Sequence, residues 1–196
     1  MIKILLQIKS INYDAFLEQI LARAKAHPEM LGGMKLPPFS DKVIKLIPAH
    51  QKNEMMAKMA NDHKGQVTPK AEALLTSVLG SAQIYDMNVR CDKQGPAAIS
   101  AEIEIRSFDF DIFIDRMLPR YYHEDSAQQI QGDAYDGRSD LASVQQIMHG
   151  QETRKKELMC AKSMSANKQY LMETMEQAAA SKNVQMKLHA LRFMVK

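Results

Sequence analysis

The run Ala82-Gln-Ile-Tyr-Asp-Met-Asn-Val-Arg-Cys-Asp92, Lys93-Gln-Gly-Pro96, Ala97-Ala-Ile-Ser-Ala-Glu-Ile-Glu-Ile-Arg-Ser-Phe108 decides the fold. On one side of Lys93 to Pro96, Tyr85, Met87, Val89 and Cys91 alternate with Asp86, Asn88 and Arg90; on the other, Ala101, Ile103 and Ile105 alternate with Glu102, Glu104 and Arg106. Side chains of a strand point to opposite faces in turn, so this period predicts a half-buried β-hairpin closed at Gly95-Pro96.

Working outward, both ends of the chain carry the same period. Ile2, Ile4, Leu6 and Ile8 oppose Lys3, Leu5, Gln7 and Lys9, and Val184, Met186, Leu188 and Ala190 oppose Gln185, Lys187 and His189. Helices fill the intervals. Before the hairpin the spacing predicts one from Asn12 or Asp14 to about Lys25, with Phe16, Leu17, Ile20 and Leu21 on its apolar face. A Gly-Gly and Pro-Pro loop between Gly32 and Ser40 leads to three more: Ser40 or Asp41 to Ile47, Pro48 to about His63, and Thr68-Pro69 to Leu79 before Gly80. After the hairpin come a helix from Phe108 to Leu118, a polar unpatterned connection over 120–138, and a helix capped by Ser139-Asp140 that Gly150 closes. One long helix then runs from Glu152 to about Ala180, with Cys160, Met164, Leu171, Met175 and Ala178 on one stripe.

Strand, helices, strand, strand, helices, strand is the order of the split β-α-β-β-α-β, ferredoxin-like arrangement, here with enlarged helical crossovers. The expected fold is therefore α+β, residues 1–196 forming a single domain around a four-stranded, mainly antiparallel sheet ordered 4-1-3-2. Both crossovers are expected on one face and the central pair parallel. Placing the first strand beside the third sets Lys3, Gln7 and Lys9 against Glu102, Glu104 and Arg106, so charges of opposite sign adjoin. The core expected from the strands is Ile2, Ile4, Leu6, Ile8, Tyr85, Met87, Val89, Ile103, Ile105, Met186 and Leu188.

Charge is uneven along the chain. Residues 109–140 hold 8 acidic side chains against 3 basic ones, within a chain of net charge +3 that gives a polyanion little to bind. Cys91 and Cys160 fall on apolar faces and read as small buried hydrophobes, which suits a reducing compartment. No apolar run approaches a signal-peptide core or the roughly 20 residues of a membrane span, so the expected location is cytoplasmic.

Four features could carry chemistry. An open sheet face bearing Asp86, Arg90, Glu102, Glu104 and Arg106 could bind a polar ligand, against the plainer reading of a solvated face with weak ion pairs. RNA recognition there is disfavoured, because Tyr85 falls on the opposite face. The acidic segment contains Asp109, Asp111, Asp115, Asp125 and Asp140 besides His123, Glu124, Asp133 and Asp136, the four residues that could hold a divalent cation; no EF-hand spacing is present. Gly132 to Ser139 has the outline of a phosphate loop, but Arg138 stands in the Lys position, two aspartates intrude and no strand precedes, so two glycine turns and a helix cap explain it. Methionine, 15 residues of 196, suits adaptable surfaces and more often fills irregular cores.

No motif of nucleophilic, zinc or dinucleotide chemistry is present, and no catalytic residue is assigned. The reading preferred is a non-catalytic binding or assembly module, self-associating as a homo-oligomer or with a protein partner. The alternative is a small divalent-cation-dependent hydrolase using residues 109–140; a nucleic-acid binder comes third. Beyond Ala190, Leu191, Phe193 and Val195 continue the outward register of the last strand. Either they form an apolar interface at a sheet edge, the reading preferred, or a β-bulge near Ala190 returns them to the core.

Overall fold

The computed structural model describes residues 2–12, 46–92, 98–181 and 184–195. The expected helix to Lys25, the Gly32–Ser40 loop, most of the short helix to Ile47 and the hairpin turn lie outside the described residues. Four strands, β1 (Ile2–Ile11), β2 (Gln83–Cys91), β3 (Ile99–Ser107) and β4 (Met186–Val195), form an open sheet ordered β2-β3-β1-β4. This is the expected order.

Every neighbouring pair is antiparallel, including the central pair β1/β3, whose register runs from Ile2↔Ile105 to Ile8↔Ile99. That corrects the expected parallel centre. A helical crossover brings β2 back in the direction of β1, so β3, which turns back from β2 and lies between them, must oppose both.

Bulges in β2 and β4 reset the faces. In β2, Ile84 pairs with Ile105 and Asp86 with Glu104, so Tyr85 is the extra residue; it is 67 % exposed while Ile84 is buried, and Tyr85 leaves the expected core. In β4, Ala190 pairs with Gln7 but Leu188 with Ile8, which leaves His189 as the extra residue. From there Leu191 and Phe193 turn inward, 3 % and 9 % exposed, and Val195 is half-buried beside Ile2. The bulge, and not the exposed apolar patch, is what the chain adopts, because the register shift removes three apolar side chains from water.

Helices cover the inward face. α1 (Ala49–Asp62) and α2 (Lys64–Leu79) meet at His63, and α2 begins before the expected Thr68-Pro69, so that Pro69 lies inside it and Val67 packs toward the core. In place of the regular helix expected from Phe108 to Leu118, a single α turn α3 (Phe110–Ile112) continues as a π turn, Phe113–Met117, and then a 3-10 turn, Leu118–Arg120, which runs past Pro119. The expected loop over 120–138 is instead packed: α4 (Ala127–Gln131) buries Ala127, Ile130 and Gln131, a one-turn stripe too short to show as a period. α5 (Leu141–His149) is capped by Asp140, whose side chain accepts from Ser143 N, as expected. The single long helix is two, α6 (Thr153–Ala166) and α7 (Lys168–Ala180), divided at buried Asn167, whose Nδ2 donates to the Ser163 carbonyl at 2.9 Å.

α6 and α7 pack on β4, α1 and α2 on β2, and α2 touches α7, so both crossovers share one face. Ile2, Ile4, Leu6, Met87, Val89, Ile103, Ile105 and Leu188 are buried as expected, Ile8 and Met186 partly so. Met117, Met148, Met164 and Met175 fill the space beneath them, the core use of methionine. Cys91 and Cys160 are free thiols, the latter fully buried. Among the described residues no helix is long and apolar enough to cross a membrane.

Candidate functional site

The outward face of the sheet is built directly by strand register. Asp86, Glu104, Lys3 and Met194 lie in one row across the four strands, and Asn88, Glu102, Leu5 and Arg192 in the next. A third row holds Arg90, Ser100, Gln7 and Ala190. Lys3 Nζ meets Glu102 Oε2 at 2.8 Å, a contact that raises the Lys3 pKa. From α2, Lys64 Nζ meets Asp86 Oδ1 at 3.0 Å and holds that carboxyl below the usual carboxylate range. Of the five residues expected to bind a ligand here, the structure places Glu102 and Glu104 beside Lys3, while Asp86 pairs with Lys64. Arg90 and Arg106 are exposed, and Arg106 is an extra residue of β3 between the pairs Gln83↔Ser107 and Ile84↔Ile105, without a register partner. Leu5 is half-buried at the middle of this face, and Met194 and Tyr85 are exposed.

The outer edge of β2 is closed by side chains. Asn61 Nδ2 donates to the Val89 carbonyl at 2.7 Å while Val89 N donates to Asn61 Oδ1 at 3.0 Å, and Ile84 N donates to Glu72 Oε1 at 2.7 Å. Helix side chains thus take the hydrogen bonds that another strand would otherwise make.

The acidic segment does not assemble as a cation site. Asp109 and Asp140 cap helices, Asp136 is paired to Arg138, and the His123 carbonyl accepts from Ser126, while Glu124 and Asp133 lie in separate 3-10 turns. Among the described residues no group of three or more His, Cys, Asp or Glu is placed to hold a metal ion, so His123, Glu124, Asp133 and Asp136 are not brought together as one.

Two other aspartates do converge with basic groups. Asp111 on α3 and Asp115 in the π turn bracket His149 at the end of α5: Nδ1 lies 3.1 Å from Asp111 Oδ1 and Nε2 2.7 Å from Asp115 Oδ1. Both contacts are N–H donations only when the ring carries both protons. Lys156 from the first turns of α6 donates to the same Asp111 oxygen at 2.9 Å, and this ammonium, with His149 behind it, holds Asp111 below the usual carboxylate range. One turn further along α6, burial pushes the Cys160 thiol far up, so it stays protonated and is a poor nucleophile.

Beside this cluster runs a groove of about 640 Å³, between Ser81 to Gln83 at the start of β2, Ser107 to Asp111 after β3, and Thr153 with Lys156 on α6. Gly80 immediately precedes its first wall. It has φ +85°, and a Cβ there would lie 2.8 Å from Ile112 Cγ2 and 2.9 Å from Met117 Cγ, so only glycine lets the irregular helix approach so closely. Ser81 Oγ then accepts from Asp109 N at 2.8 Å, tying the two walls together.

The chain signals half of this. Asp111 and Asp115 at i and i+4 on the helix expected from Phe108 share a face, but His149 ends one later helix and Lys156 lies in another beyond Gly150, and no local period links them to it. No protein-family model matches this sequence, and no characterised protein or solved structure matches the chain.

Proposed function

We propose that this protein is a non-catalytic binding and assembly module of the ferredoxin-like kind, which self-associates through the open face of its sheet. The observation that carries the reading is the central row Asn88, Glu102, Leu5, Arg192. A two-fold axis running along β1 between two facing sheets sets Leu5 on its own copy and Arg192 opposite Glu102, twice over, so the row is complementary to itself. Leu5 supplies apolar contact at the middle of that face and Met194 adds to it on the edge strand β4, with the charged side chains of the neighbouring rows as a polar rim. Two free cysteines, one of them deeply buried, suit work in a reducing, cytoplasmic setting.

Light scattering and sedimentation on the wild type, Leu5→Lys and Met194→Glu test this. Each substitution places a charge beside an opposite one within the sheet, near Glu102 and Lys3, so the fold is kept while the apolar contact is lost. A wild-type dimer that both variants dissociate without loss of circular dichroism is expected. A monomer at high micromolar concentration, or a dimer that neither variant weakens, overturns the proposal.

A further inference from the structure

Independently of association, we infer that the groove between β2, α3 and α6 is a binding site for an organic cation of the alkylammonium or guanidinium class. Two carboxylates line it, Asp109 and Asp111. Each is engaged through one oxygen: Asp109 Oδ1 accepts from Ile112 N at 2.9 Å, and Asp111 Oδ1 takes both the His149 and Lys156 contacts. The second oxygen of each has no hydrogen-bond partner among the described residues, so the groove offers two charged acceptors close together in sequence. Phe108 and Phe110, half-buried and edge to face at 5.2 Å, form part of the same wall, and aromatic faces attract cations. Gln83 completes the polar lining, its carbonyl oxygen held by the Ser107 hydroxyl at 3.0 Å.

Lys156 shows the preference from inside the chain. It is the basic side chain that lines the groove, and its ammonium rests on Asp111, leaving Asp109 uncompensated within the lining. The groove therefore favours a positive guest over an anion. Its volume of about 640 Å³ suits a small molecule or the end of a lysine or arginine side chain. The irregular helix adds support, since π turns inside helices are frequent at functional sites.

Calorimetric titration with 1,5-diaminopentane and agmatine, and with inorganic phosphate as the probe of opposite charge, tests the site. Asp109→Asn keeps the helix cap and removes the charge, and with Asp111→Asn it is expected to weaken cation binding by about fivefold, the scale of one exposed ion pair. Lys156→Met is expected to tighten it, because the internal competitor is gone. Urea unfolding of each variant separates lost binding from lost fold. The inference is overturned if neither cation binds at millimolar concentration, if Lys156→Met weakens cation binding, or if phosphate binds in its place and Lys156→Met abolishes that binding.

Discussion

On the covered face of the sheet, Met87, Ile103, Ile4 and Phe193 form one row of buried side chains reaching from edge to edge. One residue along each strand, the row Asp86, Glu104, Lys3 and Met194 carries three charges and an exposed thioether. Both rows use the same backbone ladder, so the difference between them isolates what the side chains contribute. Burial removes apolar area from water at roughly 25 cal/mol per Å², whereas a solvent-exposed ion pair is worth about 0–1 kcal/mol. The covered face should carry the stability, and the charged face should be free to serve contact with something else.

The sharpest way to break that comparison is to truncate neighbours on β3. Ile103 is 3 % exposed between Ile4 and Met87, so Ile103→Ala is expected to cost on the order of 2–5 kcal/mol in urea unfolding. Glu104→Ala, one residue on, should stay within about 0.5 kcal/mol. Equal losses at the two positions would show that the outward row is structural and would remove the reason for seeking a partner on it.

A smaller effect is expected where the irregular helix meets the rest of the structure. Gly80→Ala combines a backbone at φ +85° with a Cβ under 3 Å from Ile112 and Met117, and should cost about 1–3 kcal/mol. Cation binding in the adjacent groove should fall with it, since the walls must part. A neutral outcome would mean that the contact relaxes easily.

This position also shows where legibility in the sequence ended. Strand alternation was readable because every second residue of β1 and β3 meets the same environment, and it carried the order β2-β3-β1-β4 with it. It failed at Tyr85 and at Leu191 to Val195, where a bulge adds one residue to a strand and reverses every side chain beyond it. In the last strand the switch of apolar residues to the other register beyond Ala190 does mark the bulge, the alternative reading there; at Tyr85 the bulge is set by the burial of Ile84 under the sheet. The parallel centre was wrong for a topological reason, since the direction of β3 follows from the crossover that precedes it. The Asp111, Asp115, His149 and Lys156 cluster escaped because its members come from separate helices whose packing no pattern encodes, although the matched spacing of the two aspartates was visible.

The smallest expected effect, a titration, addresses the charged groups alone. Asp86, Asp111, Asp136, Asp140 and Glu176 all hold carboxyl groups below their ordinary range. Lys64, Lys156, Arg138 and the Ser143 contacts favour the charged form of the first four; at Glu176 partial burial opposes ionisation, but Lys187 and the Leu188 amide outweigh it. A carboxyl whose folded pKa lies below its unfolded value, about 3.9 for Asp, stabilises the fold fully above that value and loses the contribution as pH falls through the folded pKa. Lys3 and Lys187 are raised by their carboxylate partners, so their contributions are complete below an unfolded value of about 10.4 and vanish as pH rises past the folded pKa. As far as these groups control it, the urea midpoint should be level across neutral pH, fall below about pH 4 and fall again above about pH 10. Because the groups are largely solvent-exposed, both limbs should be shallow beside the loss from Ile103→Ala. Lys64→Met releases Asp86 toward its ordinary value and should make the acid limb shallower still. A loss of stability beginning near neutral pH would place the controlling group outside these pairs, and a steep acid limb would mean that the charged groups bear more of the fold than their exposure allows.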